Sequence, residues 1–197
     1  MSIVTYYPMW QDIHVMVFIG FGFLMVFLKT HSWSSVGFNF LVAAWAIQCS
    51  VLFFGFWKAV IYKGHLEKIN IDMPLLIQGD FGAAAILISM GALLGKTSFP
   101  QLFVLVTIET IFYTLNAVIC VDHLAAADIG GAIVIHMFGA IFGLTATYFF
   151  QPKKALEDRL EQCKGRYTSE LIAMVGTLFL FLYWPSFNAA LAVGMAQ

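Results

Sequence analysis

The chain has 197 residues, 61% of them hydrophobic and 11% charged, where a soluble globular chain carries roughly 25% charged residues. A mean hydropathy of +0.87 argues against a water-soluble globule, and a formal net charge of -1 provides no basic surface that could neutralise a run of phosphates, so nucleic acid is not an expected partner. The three cysteines, Cys49, Cys120 and Cys163, lack CxxC or Cys/His spacing; they suggest neither a disulfide framework nor a metal site and are read as free thiols.

The first apolar run follows an N-terminus without Lys or Arg and without an Ala-x-Ala-like cleavage site, so it is expected to be a retained helix rather than a signal peptide. Crossing a bilayer takes about 20 mostly apolar residues, because every backbone polar group must be paired inside the hydrocarbon. Six stretches meet this requirement, at about 11–30, 36–57, 73–94, 99–121, 128–150 and 170–196. Pro185 interrupts the last and predicts a kink or an unwound stretch around Pro185-Ser186.

Lys and Arg concentrate on the cytoplasmic side of a membrane protein. One side carries Lys29, Lys96, Lys153, Lys154, Arg159, Lys164 and Arg166, the other only Lys58, Lys63 and Lys68. The first residue is therefore expected outside the cytoplasm and residues 151–168 in an inner loop. In that loop Lys153 and Lys154 precede Glu157 and Asp158 by four residues, the pattern of a solvated helical face. The chain contains no P-loop, GxGxxG, HExxH or GxSxG pattern; no catalytic residue and no cofactor is expected, and its work is expected to lie within the membrane.

An ionised side chain at bilayer depth costs roughly 2.5 to 3.5 kcal/mol on insertion scales, so each such residue requires a reason. Asp80, Glu109, Asp128 and His136 are the cases here. His136 follows Asp128 by eight residues, about 12 Å deeper along a helix, near mid-membrane. A neutral imidazole there can donate through one nitrogen and accept through the other, which suits a small polar molecule in a narrow apolar passage; a satisfied structural histidine is the simpler alternative. Asp128 opens its segment, where a carboxylate can cap the first helical turn, a role compatible with attracting cations at a pore mouth. Gly139 and Gly143 would permit close helix packing. By residue count Phe81 and Phe187 both fall above His136, where two rings would form a hydrophobic constriction. Glu109 receives no role. A haem protein would need axial histidines at matched depth, and His14 at a segment end and His136 in an interior do not suggest them.

The runs Gln11 to Met25, Ser35 to Leu41, Asp128 to Gly131 continuing through His136 to Gly139, and Gly176 to Phe179 with Trp184 to Asn188 closely resemble Rhesus glycoproteins of the ammonium transporter superfamily, and the likeness extends from about Tyr6 to Ala190. The resemblance implies an all-α polytopic membrane protein with two inverted five-helix repeats and one pore per subunit of a trimer. Residues 1–197 would then hold the first repeat and the first helix of the second. It also implies that Asp128 is the acid of the outer vestibule, His136 the first of two pore histidines, and Phe81 and Phe187 the gate rings. Ammonium would be attracted at the mouth, lose its proton and cross as ammonia, with carbon dioxide a further candidate. The setting implied is a multi-pass protein of the plasma membrane, homotrimeric or heterotrimeric with Rh-like subunits. A partner histidine would lie in a second repeat beyond Gln197, so the chain is expected to be part of a longer protein; a truncated subunit or a non-conducting Rh-like scaffold is the alternative. One departure is Ala117, after Asn116, where many Rhesus proteins place a glutamate.

Overall fold

The structure, a computed structural model, describes residues 3–30, 32–150, 164–190 and 192. Most of the expected inner loop at 151–168, including its Lys153 to Asp158 charge pattern, lies outside the described residues, as does Cys163. Cys49 and Cys120 are free thiols.

Among the described residues six helices are long and apolar enough to cross a membrane: α1 (Ile3–Phe27), α2 (Trp33–Lys63), α3 (Met73–Leu93), α4 (Phe99–His123), α5 (Ala132–Phe149) and α6 (Tyr167–Ala189). Local chemistry sets several of their starts. The Asp72 carboxylate caps α3 by accepting from the Leu75 amide at 2.9 Å, with Pro74 in the first turn where no amide is needed. Ser98 and Gln101 close a capping box at the start of α4, beside Pro100.

Helix α3 is the hub, packing against α1, α2, α4 and α5, while α6 packs on α1. In α3 67% of the most apolar window is buried, against 17% in α6, so the core lies around α3 and α6 sits at the edge. The hub is built from small side chains, Gly79, Gly82, Ala83, Ala84 and Ala85, which allow neighbouring backbones to approach. A methyl group added at Gly82 would run into the Ser50 hydroxyl, and one added at Gly139 in α5 would stand 2.5 Å from the Ala85 carbonyl of α3. Gly143 seats α5 on Ser89 of α3 in the same way. The α1–α6 crossing is equally close, with Gly176 against the Leu24 amide and the Gly20 carbonyl.

Three expected boundaries shift. Helix α1 begins at Ile3 rather than near residue 11, and its polar residues Asp12 and His14 are held by partners: Ser186 donates to Asp12 at 2.6 Å, and His14 Nδ1 lies 3.0 Å from Asp80. Helix α5 begins at Ala132 rather than 128, because Gly130 (φ +86°) and Gly131 (φ +70°) hold left-handed backbone that ends the preceding turn. Helix α6 runs through Pro185 to Ala189 without an unwound stretch; the proline has no amide to donate to the carbonyl of Phe181, four residues before it.

Candidate functional site

Asp128 and His136 are placed by one irregular turn. The Gly131 amide donates to the Asp128 carbonyl at 3.1 Å, and the Asp128 carboxylate receives the amides of Ile133 at 3.1 Å and Val134 at 2.9 Å. These are orphan donors at the start of α5, so the carboxylate caps that helix. The Gly131 carbonyl then accepts from both Ile135 (2.9 Å) and His136 (3.0 Å), a widened π-type turn over Ala132–Met137. His136 therefore sits in the first part of α5, nearer its outer start than the eight-residue count from Asp128 implied. The positions of the two histidines are the reverse of those expected: His136 is close to a helix start, and His14 is inside α1.

A cavity of about 190 Å³ lies beside this turn, lined among others by Gln78, Phe81, Tyr113, Asp122, Asp128 and Ile135. A water molecule takes about 30 Å³ of liquid, so the space can hold several water-sized molecules. Asp122 is paired with Lys58 at 3.1 Å, both partly exposed, which leaves Asp128 as the acid of the cavity not paired with a cation among the described residues. Ala117 also lines the cavity, so a methyl group stands where a longer acid would fill it.

Phe81, in α3, connects the cavity to what lies behind it. Its ring centroid is 4.5 Å from that of Phe187 in α6, with the planes tilted by 55°. Both rings are nearly fully buried. Phe187 lies flat on Trp184, 4.9 Å away at 9°, and the His136 imidazole lies 6.0 Å from Phe187 and 5.5 Å from Trp184. Cavity, Phe81, Phe187 and His136 thus follow one another without interruption. His136 Nε2 is buried and has no protein hydrogen-bond partner. Two aromatic rings, Phe187 and Trp184, thus flank an imidazole whose Nε2 is left without a protein partner; such a nitrogen can bind a small donor or acceptor.

Sequence reasoning singled out Phe81, Phe187, Asp128 and His136; in the structure Phe81 and Asp128 line the same cavity, and the rings of Phe81, Phe187 and His136 lie in succession. The same reasoning gave no role to Trp184, named only within the family-resembling run, or to Tyr113, whose buried side chain lines the cavity between Phe54 and Phe138. The spacing of Trp184 and Phe187, three residues apart on one helix face, was the available signal for the former. Asp80 lies outside the pathway: it is fully buried and holds His14, which is flanked by Trp10 and Phe18.

Comparison with known proteins agrees with this architecture. Residues 2–197 match the family model described as Ammonium Transporter Family. The chain is 45% identical over 197 residues to ammonium transporter Rh type B of Homo sapiens, covering 97% of this chain and 41% of that protein. To the Rh type B protein of Xenopus tropicalis it is 46% identical over 189 residues, covering 94% of this chain and 39% of the relative. A solved structure reported under the heading "Nitrosomonas europaea Rh50 and mechanism of conduction by Rhesus protein family of channels" superposes with a TM-score of 0.80 at 30% identity, covering 95% of this chain and 49% of that one. The chain spans about two-fifths of the length of the curated relatives it matches. With residues 2–197 matching the family model, the chain belongs to the ammonium transporter family.

Proposed function

We propose that the complete protein carries ammonium nitrogen across a membrane, and that residues 1–197 supply the outer mouth, the aromatic constriction and the first histidine of its pathway. The observation that carries this reading is the orphaned Nε2 of His136, buried behind Phe81 and Phe187.

The carboxylate of Asp128 faces the cavity and biases it toward cations. Past that point the walls are rings with no charge to replace a hydration shell, so an ion is penalised by its desolvation while a neutral molecule is not. Ammonium that gives up its proton before Phe81 crosses as ammonia, and His136 Nε2 replaces one of the hydrogen bonds ammonia leaves behind in water. Carbon dioxide, which is also neutral, would be subject to the same electrostatic filter. The protein would act as a channel rather than an enzyme, in a plasma-membrane trimer of identical or Rh-like subunits; the apolar outer surfaces of α5 and α6, with Leu144, Tyr148, Phe149, Phe181 and Leu182 exposed, suit lipid or further helices.

The test is the rate of internal alkalinisation when liposomes containing the complete purified protein meet an inward ammonium gradient. A rate above that of protein-free liposomes, with no accompanying membrane current, supports neutral passage; a rate equal to that of protein-free liposomes favours a non-conducting scaffold.

A further inference from the structure

Glu109, in α4, is 1% exposed and has no part in the pathway just described. Among the described residues no Lys, Arg or His forms an ion pair with it. Its partner is the hydroxyl of Ser89 in α3. The same hydroxyl lies 2.8 Å from the Gly139 carbonyl of α5, and Ser89 is itself fully buried. Gly139 comes three residues, less than one helical turn, after His136.

The proton count at Ser89 is decisive. A serine hydroxyl has one proton to donate, and a carbonyl oxygen can only accept. At 2.8 Å, two oxygens without a proton between them would repel, so the Ser89 proton belongs to the Gly139 carbonyl. The lone pairs of Ser89 then face Glu109, and that contact is a hydrogen bond only if the carboxyl brings a proton of its own. We infer that Glu109 is held as the neutral acid and donates to Ser89, which donates to Gly139, and that this relay across α4, α3 and α5 makes Glu109 and Ser89 positioning residues for His136.

The surrounding contacts explain why position is at stake. On its N-terminal side His136 is fixed by the Asp128 cap and the Gly131 carbonyl. On its C-terminal side α5 rests on α3 through glycine, with no interlocking side chains at Gly139 and Gly143 to set its rotation. Polar fasteners do this instead: Ser89 to Gly139 and, further along the same seam, Thr147 donating to the Ala92 carbonyl at 2.9 Å. In hydrocarbon such bonds have no water to compete for their groups. Removing the proton of Glu109 would place a carboxylate against the lone pairs of Ser89 and pull the Ser89 hydroxyl away from α5.

The positioning part rests on the conduction reading above; the protonation part does not. The experiment uses the complete purified protein in liposomes. Infrared difference spectra of wild type against Glu109→Gln should show a protonated-carboxyl C=O band that the variant lacks and that moves on exchange into deuterated water; no such band would overturn the inference. In ammonia flux, Glu109→Gln, whose amide donates to Ser89 in place of the acid proton, should stay within about twofold of wild type, while Glu109→Leu and Ser89→Ala should lose about two- to tenfold. Combining Glu109→Leu with His136→Leu should cost no more than His136→Leu alone. Wild-type flux in both Glu109→Leu and Ser89→Ala, or fully additive losses in the double variant, would overturn the positioning role. A flux indifferent to His136→Leu with the infrared band present would reject the conduction reading and leave the relay standing.

Discussion

Phe81 and Phe187 meet with ring centroids 4.5 Å apart, although they come from the third and sixth helices of the chain. The contact closes the inner side of the Asp128 cavity and brings the edge helix α6 over the hub helix α3. Because Phe187 is 1% exposed, Phe187→Ala is expected to cost about 3 to 5 kcal/mol of stability through the void it leaves and to weaken exclusion of ions. Thermal unfolding of the purified protein in detergent and potassium flux in liposomes read the two effects; an unchanged melting temperature together with unchanged potassium exclusion would show that the ring is neither packed nor gating.

The Asp128 carboxylate has two separable duties, capping α5 and charging the cavity. Asparagine keeps an acceptor oxygen for Ile133 and Val134 but removes the charge, whereas alanine removes both. Asp128→Ala is therefore expected to destabilise the fold by about 0.5 to 2 kcal/mol and Asp128→Asn by less. If both variants melt alike, the cap contributes nothing measurable. If Asp128→Asn folds normally yet has wild-type flux at low ionic strength, the charge has no recruiting role.

Close helix approach gives a sharper contrast. Gly176→Val would drive a branched side chain into the backbone of α1 at Gly20 and Leu24, so loss of folded protein is expected. Gly37, in the first turns of α2, has open space around it; Gly37→Ala should be neutral or stabilising by up to about 1 kcal/mol. Fluorescence-detected size exclusion of the two variants side by side checks this, and equal yields would contradict the α1–α6 packing.

Orientation follows from charge placement. Cysteine introduced at Ser2, in a background lacking the native cysteines, should react with a membrane-impermeant thiol reagent on intact cells. Reaction only after permeabilisation would invert the topology.

Much of this architecture was legible in the sequence, for reasons that differ by level. Apolar segments of about 20 residues reveal spanning helices because hydrocarbon allows few other structures, and the third and fourth segments, which carry Asp72 and Ser98 caps, were placed within a residue or two of their starts. The start of α1 was not legible: the run before Gln11 mixes polar and aromatic residues with Pro8, and no charged residue marks Ile3 as a helix start. The start of α5 was hidden because Gly130 and Gly131 reveal their left-handed backbone only in three dimensions. At the site, depth counting could place Phe81 and Phe187 above His136, but many of the chain's phenylalanines fit such a count, and it was the family resemblance that selected these. Glu109 stayed unexplained because its partner, Ser89, is one of many small polar residues in the apolar segments, and no spacing rule links positions on separate helices.

The account turns on His136, whose buried Nε2 has no protein partner. His136→Leu keeps similar bulk against Trp184 and Phe187 but removes both ring nitrogens, so passing ammonia loses a hydrogen bond worth roughly 0.5 to 1.5 kcal/mol. If that step limits passage, flux falls about two- to tenfold. Stopped-flow alkalinisation of liposomes after an ammonium jump, with the complete protein reconstituted at matched amount and verified assembly, measures this directly. The account predicts that loss, or a shift toward charged-ion leakage. Unchanged ammonia flux with unchanged rejection of methylammonium and potassium would make His136 a packing residue and contradict the account.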